Sequence, residues 1–172
     1  MSKKIEENIQ EDLNAAFQCL QSRDFQKAEL ICREILKQYP EDSDTLNILV
    51  EAYINLGNTL KDRGLIDEAI ESYKKCLIYK PDFAMAYSNI GNAFVEKGLL
   101  NESLEYYKKA LILNPDDSDI LFNLAIALKQ DGKIDKAIKC YKKALMLSPE
   151  DAEIYNNLGN AIKDKDMIDE AL

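Results

Sequence analysis

An all-α solenoid of stacked helix–turn–helix repeats is what the sequence predicts, on three observations. The chain repeats itself every 34 residues: Gly98, Tyr107, Ala110 and Pro115 recur as Gly132, Tyr141, Ala144 and Pro149, and one period earlier as Gly64, Tyr73, Cys76 and Pro81. Self-similarity at such a period marks a repeat architecture. With position 1 at Ile9, Val50, Ala84, Ser118 and Ala152, all 6 glycines fall at position 8 or 15 and all 4 prolines at position 32. Glycine and proline punctuate secondary structure, so their confinement marks boundaries. Between them, apolar residues recur with helical spacing.

The repeats run at about 9–42, 43–83, 84–117, 118–151 and 152–172. In the first, Ala16 and Arg23 replace the two glycines, and Ile5, Ile9, Leu13, Ala16, Phe17 and Leu20 carry the helical period back almost to the start. Its first helix should therefore begin near Ser2 or Lys3, about two turns early. Pro40 and Pro81 are 41 residues apart, one repeat plus seven. Seven residues are close to two helical turns, so the insertion lengthens a helix and keeps its face in phase. Asp44 to Arg63 is expected to be one long helix, with Leu46, Leu49 and Val50 on the extension. Repeats three and four are regular. The fifth is read as reaching Leu172 early in its second helix, as a piece of a longer array would, with Leu158, Ile162 and Ile168 partly uncovered and mobility from Met167 onward.

The first helices share one pattern: Tyr53, Leu56, Gly57, Leu60; Tyr87, Ile90, Gly91, Phe94; Leu121, Leu124, Ala125, Leu128; Tyr155, Leu158, Gly159, Ile162. With the period, this pattern resembles the tetratricopeptide (TPR) repeat over nearly the whole chain. The resemblance implies a right-handed α-solenoid whose first helices run parallel and line a concave surface. The early start of the first helix and the extension of the third should then lie side by side.

Composition narrows the function classes. Hydrophobic residues make up 47% and charged residues 31%, ordinary for a helical globular protein, and the net charge is −9. That sign argues against nucleic acid, whose backbone calls for a basic footprint. It also separates the chain from pentatricopeptide RNA readers, which have a similar repeat. No apolar run approaches the ~20 residues that span a bilayer, and MSKKIEENIQ is not a secretory signal. A cytoplasmic location without membrane contact is expected. Cys19, Cys32 and Cys76 occupy packing positions. Cys19 and Cys32 face the interior of one hairpin, which leaves a disulfide open, but reduced buried thiols are expected. The chain has no histidine, no metal-ligand spacing and no phosphate loop, so neither an enzyme nor a cofactor site is predicted.

At 100° per residue, positions 4, 7, 8 and 11 form the packing face and positions 2, 6, 9 and 13 the opposite side. Position 6 reads Asn14, Asn55, Asn89, Asn123 and Asn157, and position 9 reads Asn58, Asn92 and Asn160, with Ile126 breaking the row. A carboxamide is both donor and acceptor, so such a ladder suits a peptide backbone; the other reading is that it solvates the surface. Around it lie Glu51, Asp62, Glu96, Asp119, Glu153 and Asp164, flanked by Lys61, Lys129 and Lys163. The family's chaperone-tail clamp uses cations at positions 2, 5 and 6, but position 5 here reads Ile54, Ser88, Phe122 and Asn156. Paired lysines in ESYKKCL, EYYKKAL and KCYKKAL read as a solvated outer face. The function expected is a non-enzymatic scaffold that binds an extended, basic peptide segment in a concave, asparagine-lined groove. Two alternatives stand beside it. The LGN and IGN repeats resemble the substrate-recognition arm of O-linked N-acetylglucosamine transferase-type enzymes, whose catalytic domain would follow Leu172. The incomplete last repeat could also support end-to-end self-association.

Overall fold

Tight turns alternate with helices along the whole computed structural model, which describes the backbone of residues 3–170 and the side chains of residues 9–168. Among these residues the secondary structure is helical throughout: α1 (Lys3–Gln21), α2 (Phe25–Gln38), α3 (Ser43–Asp62), α4 (Ile66–Tyr79), α5 (Ala84–Glu96), α6 (Leu100–Leu113), α7 (Ser118–Gln130), α8 (Ile134–Leu147) and α9 (Ala152–Glu170). The architecture is an all-α repeat solenoid. Consecutive helices pair as hairpins, and the chain groups into two compact units, Met1–Asp82 and Phe83–Leu172.

The turns inside the first four hairpins are built the same way. At the end of α5, Gly98 adopts φ 72, the N–H of Leu99 donates to Phe94 O at 2.9 Å and that of Gly98 to Val95 O at 2.9 Å. This left-handed closure satisfies the last helical carbonyls. Arg23 makes the same turn at φ 62 without glycine's freedom, a conformation an L side chain adopts only at a cost.

In the first unit, α1 and α3 are the long helices, of 19 and 20 residues, and they touch. Asp42 starts α3 by accepting from the Thr45 N–H at 2.8 Å and the Thr45 hydroxyl at 2.6 Å. The added turns bury Leu49 fully and Val50 almost so, while Leu46 is half-buried. Burying such an aliphatic side chain is worth roughly 1.5–3 kcal/mol. Ile9 is half-buried, and the Ile5 side chain lies outside the described residues. Small residues set the spacing inside each hairpin: Ala28 and Ala69 are fully buried, as are Ser103 and Ala137 in the second unit. Cys19, Cys32, Cys76 and Cys140 are all free thiols, the first three buried.

The second unit is organised on α7, which contributes Ile120, Leu121, Leu124, Ala125, Ala127 and Leu128 to the core. Two readings of its last repeat need correction. α9 runs unbroken from Ala152 to Glu170, through the position where a second helix was expected to be under way. Asp166 stands at the turn position that glycine occupies in three earlier repeats, so a left-handed closure there would carry the cost that it carries at Arg23. Leu158 is buried rather than uncovered, because Ile154, Leu158 and Ala161 join the core cluster of this unit. Ile162 and Ile168 are exposed as expected, together with Tyr155 and Met167. Leu172 lies outside the described residues.

Candidate functional site

The residues expected to face a ligand sit on the surface of the first helix of each hairpin, and the structure divides them by what they bond. Asn58 and Asn92 are tied to a tyrosine of the second helix: Tyr73 Oη donates to Asn58 Oδ1 at 2.7 Å and Tyr107 Oη to Asn92 Oδ1 at 2.6 Å. The preceding glycine makes room for each ring. A Cβ on Gly57 would lie 2.3 Å from Tyr73 Cε1, and one on Gly91 would lie 2.8 Å from Tyr107 Cε1. The Gly-Asn pair is thus a socket for a phenol, and its bond uses only the carboxamide oxygen. In the next hairpin Ala125 and Ile126 replace the pair, and the buried Tyr141 hydroxyl has no hydrogen-bond partner among the described residues. Burial pushes the Tyr141 phenol up to about 12.

The position-6 asparagines Asn14 and Asn157 are held differently. Asn55, Asn89, Asn123 and Asn157 are half-buried and Asn14 is exposed. Asn157 donates to the Glu153 carbonyl at 2.9 Å, and Asn14 accepts from the Gln10 amide at 3.4 Å. In the first unit Asn55, Asn58 and Asp62 line one cleft of about 330 Å³, together with Thr59, Leu20, Gln21, Arg23 and Phe25. Sequence reasoning missed the last five. The one signal for them was Arg23, the odd residue at a turn position otherwise occupied by glycine.

The acidic residues differ among themselves. Glu51, Asp62, Glu96, Asp119 and Glu153 are exposed. Asp119 and Glu153 stand in the first turns of α7 and α9, where the helix dipole favours a carboxylate whatever else it does. Asp164 pairs with Lys129 at 2.8 Å, so much of its charge is met inside the unit. Asn160 is exposed on α9. On the second helices, Lys74 bonds Glu71 at 2.9 Å and Lys108 bonds Glu105 at 2.5 Å, the solvated arrangement expected. Among the described residues no group of three or more His, Cys, Asp or Glu is placed to hold a metal ion, and no helix is long and apolar enough to cross a membrane.

The model of the TPR repeat matches residues 57–98, 91–132 and 127–166, well over half of the chain. The chain belongs to the tetratricopeptide repeat family. Among solved TPR-like structures, it is similar to MamA at 29% identity, with a TM-score of 0.69 over 91% of this chain and 87% of that one. The first TPR of Spaghetti (RPAP3), bound to the HSP90 peptide SRMEEVD, matches at 23% identity and TM-score 0.64 over 67% of this chain and 91% of that one. The Sgt2 TPR domain from Aspergillus fumigatus matches at 18% and 0.67, over 70% and 82%. The last two likenesses speak for the fold alone. A comparison with curated proteins gives no match. Within this TPR array Ile54 and Ser88, at the position where the chaperone-tail clamp needs a cation, are buried and uncharged.

Proposed function

We propose that the chain is a non-enzymatic scaffold that binds an extended segment of a partner protein along the first-helix face of its repeats. The observation that carries this reading is the cleft in which Asn55 and Asp62 stand beside Asn58, whose position is fixed by the Tyr73 phenol. A fixed carboxamide costs less to order on binding than a free one. Within each unit by itself, Asn55 in the first and Asn89 with Asn123 in the second would then exchange hydrogen bonds with a peptide backbone, and the exposed Glu51 and Asp62, or Glu96 and Asp119, would favour lysine or arginine on the ligand. That the Spaghetti (RPAP3) TPR is bound to a peptide supports the reading as a precedent for the fold. A peptide that ends in acid groups, as that one does, is not the ligand we assign to this face, because the clamp position carries Ile54 and Ser88.

The test is charge reversal in the cleft. With a lysine-bearing peptide selected from a random library, Asp62→Lys should weaken binding several-fold at low salt, and the difference should shrink as salt rises. Unchanged affinity at every salt concentration would remove this face as the binding site. A second reading, self-association, is favoured by the exposed Tyr155, Ile162, Met167 and Ile168 on α9. Mass in solution against protein concentration decides it: a concentration-independent monomer excludes it.

A further inference from the structure

The second unit has another cleft, of opposite character, on its second-helix side. α6 and α8 both pack on α7, and between them lies a hollow of about 350 Å³. Its apolar lining is Leu104 from α6 with Leu124 and Leu128 from α7. Lys108, Lys133, Lys136 and Lys139 complete it with the half-buried Cys140, and no lining residue is acidic. In a chain of net charge −9 that is a marked local reversal of sign. Of the first unit's clefts, one includes Asp62 and another Glu29 and Glu34, while a third, lined by Arg33, Leu36, Lys37, Pro40 and Tyr79, has no acid but offers less apolar lining.

Lysine stems can cover apolar surface while their heads stay in water, and such a lysine needs no ligand. The distribution of partners goes beyond that. Lys108 is bonded to Glu105 and Lys133 to Asp131. Lys136 and Lys139 close no ion pair with the described residues, and Asp135, the carboxylate that feels Lys139, is bonded to Lys165 at 2.7 Å. Two cations with no salt bridge among the described residues thus stand at an apolar hollow at the low end of the size range of ligand sites.

We propose that this cleft docks an acidic peptide segment, which sets one aliphatic or aromatic side chain between α6 and α8 while its carboxylates meet Lys136 and Lys139. Charge complementarity identifies the occupant: the hollow offers cations around apolar side chains, and the ligand offers the converse. This site is independent of the first-helix face, which selects ligands of the other sign.

The experiment uses a labelled peptide with one leucine flanked by glutamates, and Cys140 as a built-in reporter. Cys19, Cys32 and Cys76 are buried, so alkylation of the folded protein reports on Cys140 first. The acidic peptide should bind and slow Cys140 alkylation, and replacing its leucine by serine should abolish both effects. Lys136→Glu with Lys139→Glu should weaken binding at least tenfold with the melting temperature unchanged, and should leave lysine-bearing peptides bound as before. Should that variant fail to fold, Lys136→Gln with Lys139→Gln should weaken binding in the same direction by a smaller factor. The proposal is overturned if the acidic peptide does not bind, if it binds the folded variants as tightly as the original, or if vesicles of anionic phospholipid protect Cys140 where the peptide does not.

Discussion

Tyr107 donates its phenol to Asn92 at 2.6 Å across the hairpin of α5 and α6, and one repeat later, where Ile126 stands in the asparagine's place in the sequence, Tyr141 has no hydrogen-bond partner among the described residues. The two tyrosines are equally buried in sequence-equivalent places, so they form a matched pair of probes. Removing the hydroxyl should have opposite effects. Tyr107→Phe should cost about 0.5–1.5 kcal/mol, the net value of a hydrogen bond, with Asn92 left unsatisfied. Tyr141→Phe should be neutral or stabilising by up to about 1–3 kcal/mol, because it deletes a buried donor that has no acceptor. Urea unfolding of the two variants measures both. Equal destabilisation would mean that Tyr141 finds a partner in solution.

Glycine replacement tests the same socket from the other side. Alanine favours a helix interior by about 1 kcal/mol over glycine. At Gly159 no atom outside the adjoining backbone of its own helix lies within 4 Å of the added Cβ, so Gly159→Ala should stabilise by about that amount. At Gly57 the Cβ would meet the Tyr73 ring at 2.3 Å, and displacing a packed ring costs about 1–3 kcal/mol. Gly57→Ala should therefore destabilise, and by more than Gly91→Ala, where the approach is 2.8 Å. Thermal melts of the three variants give the order.

Arg23 holds a left-handed conformation that costs a non-glycine residue roughly 1–2 kcal/mol. Glycine relieves this but loses more chain entropy, by roughly 0.5–1 kcal/mol. Arg23→Gly should stabilise by about 0.5–1 kcal/mol. Because Arg23 is the cation of the Asn55 cleft, the same change should tighten binding of lysine-bearing peptides. A variant that is less stable would show that the arginine side chain holds the first turn in place.

Alkaline pH should unfold the protein through its buried thiols and phenols. Burial pushes Cys32 and Cys76 from 9.0 up to about 11, and Tyr141 up to about 12. A folded-state value above the unfolded one gives stability that is complete below the unfolded value and is lost as pH rises through the folded one. Stability should hold to about pH 9 and fall between about pH 9 and 11, with a further loss towards 12. Cys32→Ala with Cys76→Ala should flatten the first part of that fall. Denaturant midpoints measured at several pH values check the window.

The repeat and its packing were legible in the sequence because the 34-residue spacing and the helical period record the same contacts twice. The length of α3 was legible too, since an insertion of seven residues between Pro40 and Pro81 leaves the apolar face in phase. The course of α9 was not. Its period continues equally well as one helix or two, and the missing glycine at Asp166 does not decide between them, because Arg23 makes the turn without one. Nor was the division among the asparagines. Asn55 and Asn58 look alike along the chain, but Asn58 answers to a tyrosine 15 residues away in the second helix. The break in that row at Ile126 was visible in the sequence, but its consequence for Tyr141 needed the hairpin geometry.

The claim that the first-helix asparagines hold a peptide backbone is tested most directly by Asn89→Ala combined with Asn123→Ala, both in the second unit. First helices of neighbouring hairpins that pack directly lie about 8–10 Å apart, and an extended peptide advances about 3.3 Å per residue. Each asparagine would then meet roughly every third ligand residue. Peptides selected from a random library should be titrated against the original protein and the double variant, with the melting temperature of each measured alongside. The account predicts binding weaker by roughly 1–3 kcal/mol, at about 0.5–1.5 for each hydrogen bond, with little change in melting temperature. Equal affinity for both proteins would contradict it, and the asparagines would then do no more than solvate the surface.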